Sequence, residues 1–181
     1  RNVILKPVQI TFGDAENKKK ALDSVQTIIL EYHAIEQIKK RVIHPKFPFK
    51  AVDEYCWEFT SEFLQKYKTK PREEQFSYIY YDRLDSQILD MRLNLKDQIS
   101  NDVRSNRNQA ITWRICTDQI SNTSPCMQRI WIRYEGDEEV SVHINWRSRD
   151  LFGAWQVNLV AVTDMLYREI LKPNNCEITR L

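Results

Sequence analysis

The chain has 181 residues, 42% of them hydrophobic, with only three glycines and six prolines, which fits one globular domain over 1–181 able to bury a core. Its 27 basic and 25 acidic residues leave a formal charge of +2, so charge makes no case for a nucleic-acid or anionic-membrane partner. No segment approaches the roughly 18 apolar residues of a membrane span, no signal peptide is visible, and a first residue of Arg1 leads us to expect a fragment or the ordered part of a longer chain.

Leu22, Val25, Ile28, Ile29, Tyr32, Ile35 and Ile38 recur at helical spacing and predict an amphipathic helix over 16–40. Pro45 and Pro48 break the chain. A second helix follows, with Val52, Tyr55, Cys56, Phe59 and Phe63 along one face. The charged loop YKTKPREEQ (67–75) leads to a third helix carrying Leu84, Ile88, Met91, Leu95 and Ile99 on one side. The period then changes from 3.6 to 2. Ile111, Trp113 and Ile115 alternate with polar residues, as do Ile130, Ile132 and Tyr134, and then Val140, Val142, Ile144 and Trp146; these predict three strands, each with one buried face. The short acidic segment EGDEE (135–139) joins the last two as an antiparallel hairpin. A final helix over about 152–172 is apolar on much of its surface and therefore buried. Together these elements predict an α+β fold, a mixed or antiparallel sheet packed by helices.

Cys56, Cys116, Cys126 and Cys176 are scattered with no C-x-x-C, the pattern of reduced thiols in a cytoplasmic protein rather than of a disulfide framework. His33, His44 and His143 lie near none of them in sequence, so no metal site is expected. Cys56 and Cys116 fit core positions, Cys176 a terminal loop, and His33 a helix flank. Cys126, in SPCMQRIWIRY (124–134), sits where a polar loop becomes a strand; by type alone it is a small core residue, a disulfide half, a metal ligand or a nucleophile. Ser141, His143, Asn145 and Arg147 share one face of the last strand, which ends in RSRD (147–150). Two arginine forks and a hydroxyl suit a phosphate dianion, and a guanidinium near a thiol favours the thiolate. The same four residues also read as a capped helix start with Asp150 as N-cap.

The stretch SPCMQRIWIRYEGDEEVSVHINWRSRDLFGAWQVN (124–158) resembles the central segment of thymidylate synthases and the related pyrimidine nucleotide hydroxymethylases, with the shorter archaeal-type branch nearest. In that family a Pro-Cys pair opens a strand, a hairpin returns to Arg-Ser-x-Asp, and an asparagine follows eight residues after the aspartate. Pro125-Cys126, Arg147-Ser148-Arg149-Asp150 and Asn158 stand here in that order and spacing. YIYYDRL (78–84) resembles the family's active-site tyrosine segment, EYCW (54–57) its Glu-x-x-Trp helix, and RNQAITW (107–113) the stretch whose arginines reach a neighbouring subunit's phosphate.

The resemblance implies a thymidylate synthase-like fold and an enzyme of nucleotide biosynthesis, forming dTMP. It would transfer a one-carbon unit from 5,10-methylenetetrahydrofolate to C5 of dUMP through a covalent cysteine adduct at C6. It implies Cys126 as the nucleophile, and Arg147 and Ser148, with Arg149 alongside, at the 5′-phosphate. Asp150 would anchor the base end of the pocket, Asn158 would read the uracil edge, Glu54 would organise proton transfer, and Tyr80 would shape the floor. Arg107 would serve the phosphate of a partner in a homodimer. Alternatives are a dUMP or dCMP hydroxymethylase and a diverged, non-catalytic nucleotide-binding homologue. Met127 stands where many synthases have histidine, Tyr81 where glycine is usual, and Asn108-Gln109 where paired arginines are expected. Lys18, Lys19 and Lys20 are candidates by charge for a further phosphate ligand, and the family's His-x-Tyr segment for the deoxyribose would lie past Leu181.

Overall fold

The computed structural model describes residues 8–12, 19–23 and 27–181. Strands β1 (Val8–Phe12) and β2 (Lys19–Asp23) pair antiparallel, with Val8 opposite Asp23. Helix α1 occupies only Tyr32–Lys39, so the helix expected over 16–40 is corrected to a strand, an extended stretch and a short helix. Val25 and Lys18 lie outside the described residues. The β-branched run Thr27-Ile28-Ile29 disfavours helix. Leu30 then exchanges backbone hydrogen bonds of 2.7 and 3.0 Å with Leu181, which holds this segment extended.

The second predicted helix is two, α2 (Phe49–Trp57) and α3 (Ser61–Lys68). Thr60 starts the second by accepting the Phe63 N–H at 3.1 Å, the usual way a threonine side chain satisfies a free donor at a helix start. Helix α4 (Tyr80–Ser100) matches the third predicted helix and presents Leu84, Ile88, Met91 and Leu95 to the core.

The main sheet contains β3 (Gln109–Ile111), β4 (Met127–Gly136), β5 (Glu139–Trp146) and β6 (Glu177–Arg180), in that spatial order. β4 runs antiparallel to both β3 and β5, and β6 runs parallel to β5, so the sheet is mixed and the fold α+β. At the β4–β5 turn Asp137 and Glu138 both take positive φ, 48° and 62°, which matches the right-handed twist of the strands it joins. Gly136, at φ 110°, takes the irregular pairing beside that turn.

One predicted strand is corrected. After Ile111 the chain leaves the sheet and forms a short helix, α5 (Ile115–Asp118), because Asp118 folds back to accept the Arg114 N–H at 2.6 Å. Ile115 is 72% exposed, and Cys116 is exposed rather than in the core. Cys176, expected in a terminal loop, is buried where the chain enters β6.

Helix α6 (Trp155–Leu166) continues as a π turn over Tyr167–Leu171. It buries Leu159 through Thr163 without a break, because α1 and α2 pack against it and it also contributes to the core under the sheet. The core joins α4 and α6 to Ile130, Ile132, Tyr134, Val140 and Val142 of the sheet. Arg129, Trp131, Arg133 and His143 occupy the opposite face, where the Trp131 and His143 rings meet at a tilt, 4.3 Å between centres. Among the described residues no helix is long and apolar enough to cross a membrane, and all four cysteines are free.

Candidate active site

The β4–β5 register places Met127 opposite Trp146, so the residues just outside that pair, Cys126 and Arg147, meet at the end of the sheet. The Arg147 N–H donates to the Cys126 carbonyl at 2.9 Å. Its guanidinium turns back over the loop before β4, with Nε donating to the Pro125 carbonyl at 3.1 Å and Nη2 to the Ser124 carbonyl at 2.8 Å. Only part of a five-donor fork is used, and the side chain is exposed, so N–H groups remain for an anion at this end of the sheet.

Tyr80 approaches from the other side. As the first residue of α4, it accepts the backbone N–H groups of Cys126 at 3.2 Å and Met127 at 3.1 Å on its phenol oxygen. Burial pushes this phenol's pKa well up, so it stays neutral. Its ring lies 5.3 Å from Tyr78 and 6.1 Å from both Phe59 and Trp146, which gives the half-buried Cys126 aromatic surroundings. Three residues drawn from separate parts of the sequence, Tyr80, Cys126 and Arg147, are thus in direct hydrogen-bond contact.

The loop leading to Cys126 is anchored from below. Arg83, one turn into α4, makes a bidentate pair with Asp118 at 2.9 Å for both bonds, with the side chains 7% and 3% exposed. Burial works against the Asp118 charge, but the Arg114 N–H and the Arg83 guanidinium overcome it and hold this carboxyl below its usual range. Ser124 Oγ donates to the Asp118 carbonyl at 2.7 Å, linking the pair to the residues that Arg147 grips.

Asp150 organises the turn into α6 and is not its terminal cap. Its Oδ1 accepts the Gly153 N–H at 2.6 Å, and its carbonyl accepts from Ala154 and Trp155. A Cβ at position 153 would fall 1.9 Å from Asp150 Oδ2, so glycine is needed there for the approach itself. Ser148 and Arg149 lie exposed between Arg147 and Asp150. The Arg149 guanidinium sits between the Trp146 and Trp155 rings, 5.1 and 5.5 Å from their centres. The indole N–H groups of both tryptophans are buried without an acceptor.

In the first turn of α6, Asn158 Nδ2 donates to the Ala154 carbonyl at 2.6 Å, while its Oδ1 accepts the Tyr55 hydroxyl at 2.7 Å. Tyr55 packs edge-on to Phe59, which stacks on Tyr80, so the asparagine joins the same aromatic cluster as the thiol. Glu54 points away into solvent, 3.8 Å from Lys50, with 65% of its side chain exposed. One turn later Glu58, the residue just past the end of α2, carries a half-buried carboxyl whose pKa burial raises. Its neighbour Tyr55 also has its pKa raised, by burial and then by Tyr80 and Glu58.

Arg107 is exposed in the loop before β3. With Gln109 opposite Trp131, Arg107 lies level with Arg133, about 23 Å along β4 from Cys126 at roughly 3.3 Å per residue. The neighbouring Asn108 is fully buried, donating to the Met91 carbonyl of α4 at 3.0 Å. An open recess of about 450 Å³ lies beside Arg147, walled by Ile111, Trp113, Gln128, Asn145 and Trp146. A more enclosed cavity of about 180 Å³, between α1 and α6, contains none of the residues gathered around Cys126. Among the described residues no group of three His, Cys, Asp or Glu side chains is placed to hold a metal ion.

Tyr55, Glu58, Arg83 and Asp118 are the residues of this region that the sequence did not single out for the site. For Tyr55 the available signal was a phenol on an otherwise apolar helix face. For the Arg83–Asp118 pair there was none, because its partners are 35 positions apart.

No known family profile matches this chain, and no curated protein sequence matches it. Among solved structures the chain is similar to the thymidylate synthase from T4 phage, at 13% identity and a TM-score of 0.45. The likeness covers 72% of this chain and 54% of that one, so this chain spans about half the length of the structure it matches.

Proposed function

We propose that this chain is a pyrimidine nucleotide C5 one-carbon transferase acting on dUMP. The observation that carries the reading is the contact set Tyr80–Cys126–Arg147: a half-buried cysteine whose backbone is fixed from both sides, with the Arg147 guanidinium gripping the two residues before it and keeping donors free. In this reading the Cys126 thiolate adds to C6 of the uracil ring, and the electron pair of the C5–C6 double bond moves to C5, which becomes the nucleophile. Arg147 and Ser148 bind the 5′-phosphate, with Arg149 adding charge at the rim. Asp150 holds the turn that brings the first turn of α6 to the base, and Asn158 reads the base edge. Glu58, at the end of α2, is better suited than Glu54 to move a proton, since Glu54 faces solvent. Arg107, too far along β4 to serve its own thiol, would reach the phosphate bound by a second copy in a homodimer.

The aromatic rings of Tyr78, Tyr80 and Trp146 fit a flat heterocycle. When bound, 5,10-methylenetetrahydrofolate supplies the one-carbon unit and the reducing equivalents. The residues of this chain would orient it and keep water from the activated C5.

A second reading, a nucleotide-binding relative without turnover, is favoured by the exposure of Glu54 and the burial of Asn108. Release of tritium from [5-³H]dUMP in the presence of the folate donor separates the two. Transfer requires release, and Cys126→Ser should abolish it. Binding of dUMP without release would instead establish the second reading.

A further inference from the structure

Resting on the reading of the site as a pyrimidine nucleotide pocket, we propose that Tyr55 determines its base preference by locking the Asn158 side-chain amide in the orientation that accepts uracil and rejects cytosine. An asparagine amide has two N–H donors on one atom and two acceptor lone pairs on the other, and turning it over exchanges them. Here its direction is fixed by chemistry. The atom 2.6 Å from the Ala154 carbonyl must be Nδ2, because a carbonyl only accepts and Oδ1 there would set two oxygens against each other. Oδ1 therefore faces Tyr55, whose hydroxyl donates to it at 2.7 Å.

Tyr55 is well suited to this task. Burial pushes its phenol pKa far above the usual value, so the donor persists throughout the pH range of any assay. Its ring is held edge-on by Phe59, so the hydroxyl does not wander.

After these two bonds Asn158 retains one lone pair on Oδ1 and one N–H on Nδ2, on a partly exposed side chain. That acceptor–donor pair complements the N3–H and O4 of uracil. Cytosine presents an acceptor at N3 and a donor at N4, and matching it would require the overturned amide. Overturning would oppose Oδ1 to the Ala154 carbonyl, which only accepts, whereas the Tyr55 hydroxyl can donate or accept; Ala154 therefore sets the sense of the amide and Tyr55 holds the amide against it. Ala154 alone cannot enforce the orientation, because the amide can rotate off its own helix. The Tyr55 bond, arriving from α2, is what prevents that rotation.

The competing explanation is that the Tyr55–Asn158 bond only ties α2 to α6. Titration of wild-type protein and Tyr55→Phe with dUMP, dCMP and deoxyribose 5-phosphate distinguishes the two. We expect wild type to prefer dUMP. In Tyr55→Phe the dUMP-to-dCMP affinity ratio should fall about tenfold, the scale of one hydrogen bond, while the base-less sugar phosphate binds unchanged. An unchanged ratio, or equal weakening of all three compounds, would overturn the proposal and leave the nucleotide reading standing. If wild type binds neither nucleotide, the nucleotide reading itself falls and takes this proposal with it. A second readout needs no variant: in asparagine-labelled wild-type protein, one Asn158 side-chain amide proton should be protected from exchange and the other should shift on adding dUMP but not dCMP. Two unprotected protons would contradict the locked orientation.

Discussion

Arg83 and Asp118 illustrate how a costly contact can still be useful. Removing two charges from water is expensive, and their attraction repays that cost only when the geometry is good and the remaining donors and acceptors are satisfied. Both conditions hold here: the pair is bidentate at 2.9 Å, and Asp118 also accepts the Arg114 N–H at 2.6 Å. The pair secures the loop that carries Cys126 to the same helix turn that presents Tyr80. Asp118→Ala should therefore cost about 3 kcal/mol in urea unfolding, because it strands a buried guanidinium, whereas Arg83→Met with Asp118→Leu should recover most of that stability. A loss below about 0.5 kcal/mol for the single change would show that water reaches the pair and that it holds nothing. The same scale separates the thiols. Cys56 and Cys176 are each pushed up to about 11 by burial, so both are protonated at neutral pH. Cys126 is only half-buried, and the Arg147 guanidinium holds the two residues that precede it.

At the scale of elements, the sequence was readable wherever one pattern dominated its surroundings. The β4–β5 hairpin appeared in Ile130, Ile132 and Tyr134 against Val140 and Val142, because a sheet with one buried face forces alternation. Helix α4 appeared in Leu84, Ile88, Met91 and Leu95 for the corresponding reason at period 3.6. Local spacing failed where distant partners decide. Ile28 and Ile29 fit a helical stripe, but the chain there is extended beside Leu181, 151 positions beyond its partner Leu30. Trp113 and Ile115 alternated like a strand, but Asp118 reaches back to Arg114 and turns them into the approach to α5. Strand β6 has four residues, too short to show a period, and exists through pairing with β5. Within the candidate site, the order of Pro125-Cys126, Arg147 and Asn158 was legible from the segment that resembles thymidylate synthases. The exposure of Glu54, the burial of Glu58 and the bond from Tyr55 to Asn158 depend on the rotation of α2 against α6, which sequence spacing does not specify.

At the scale of the molecule, the sheet has one face in the core and another that carries Arg129, Trp131, Arg133 and His143. On that second face the Trp131 Nε1 and His143 Nε2 atoms are shielded from solvent yet have no partner. Burial, and then Arg133 and Arg180, lower the His143 pKa from the ordinary 6.5, so the imidazole stays neutral at physiological pH and can pack. A second copy meeting this face would cover its large side chains and bring Arg107 to a neighbouring phosphate. We expect a homodimer at micromolar concentration by sedimentation; a monomer there would remove Arg107 from the site. The central claim, that Cys126 is a nucleophile towards a pyrimidine ring, is tested most directly by covalent capture. With 5-fluoro-dUMP and the folate donor, peptide mass spectrometry should find the adduct mass on the peptide containing Cys126, absent in Cys126→Ser and absent from Cys56, Cys116 and Cys176. Nucleotide binding in the wild-type protein with no adduct on Cys126, or an adduct on another cysteine, would contradict the account.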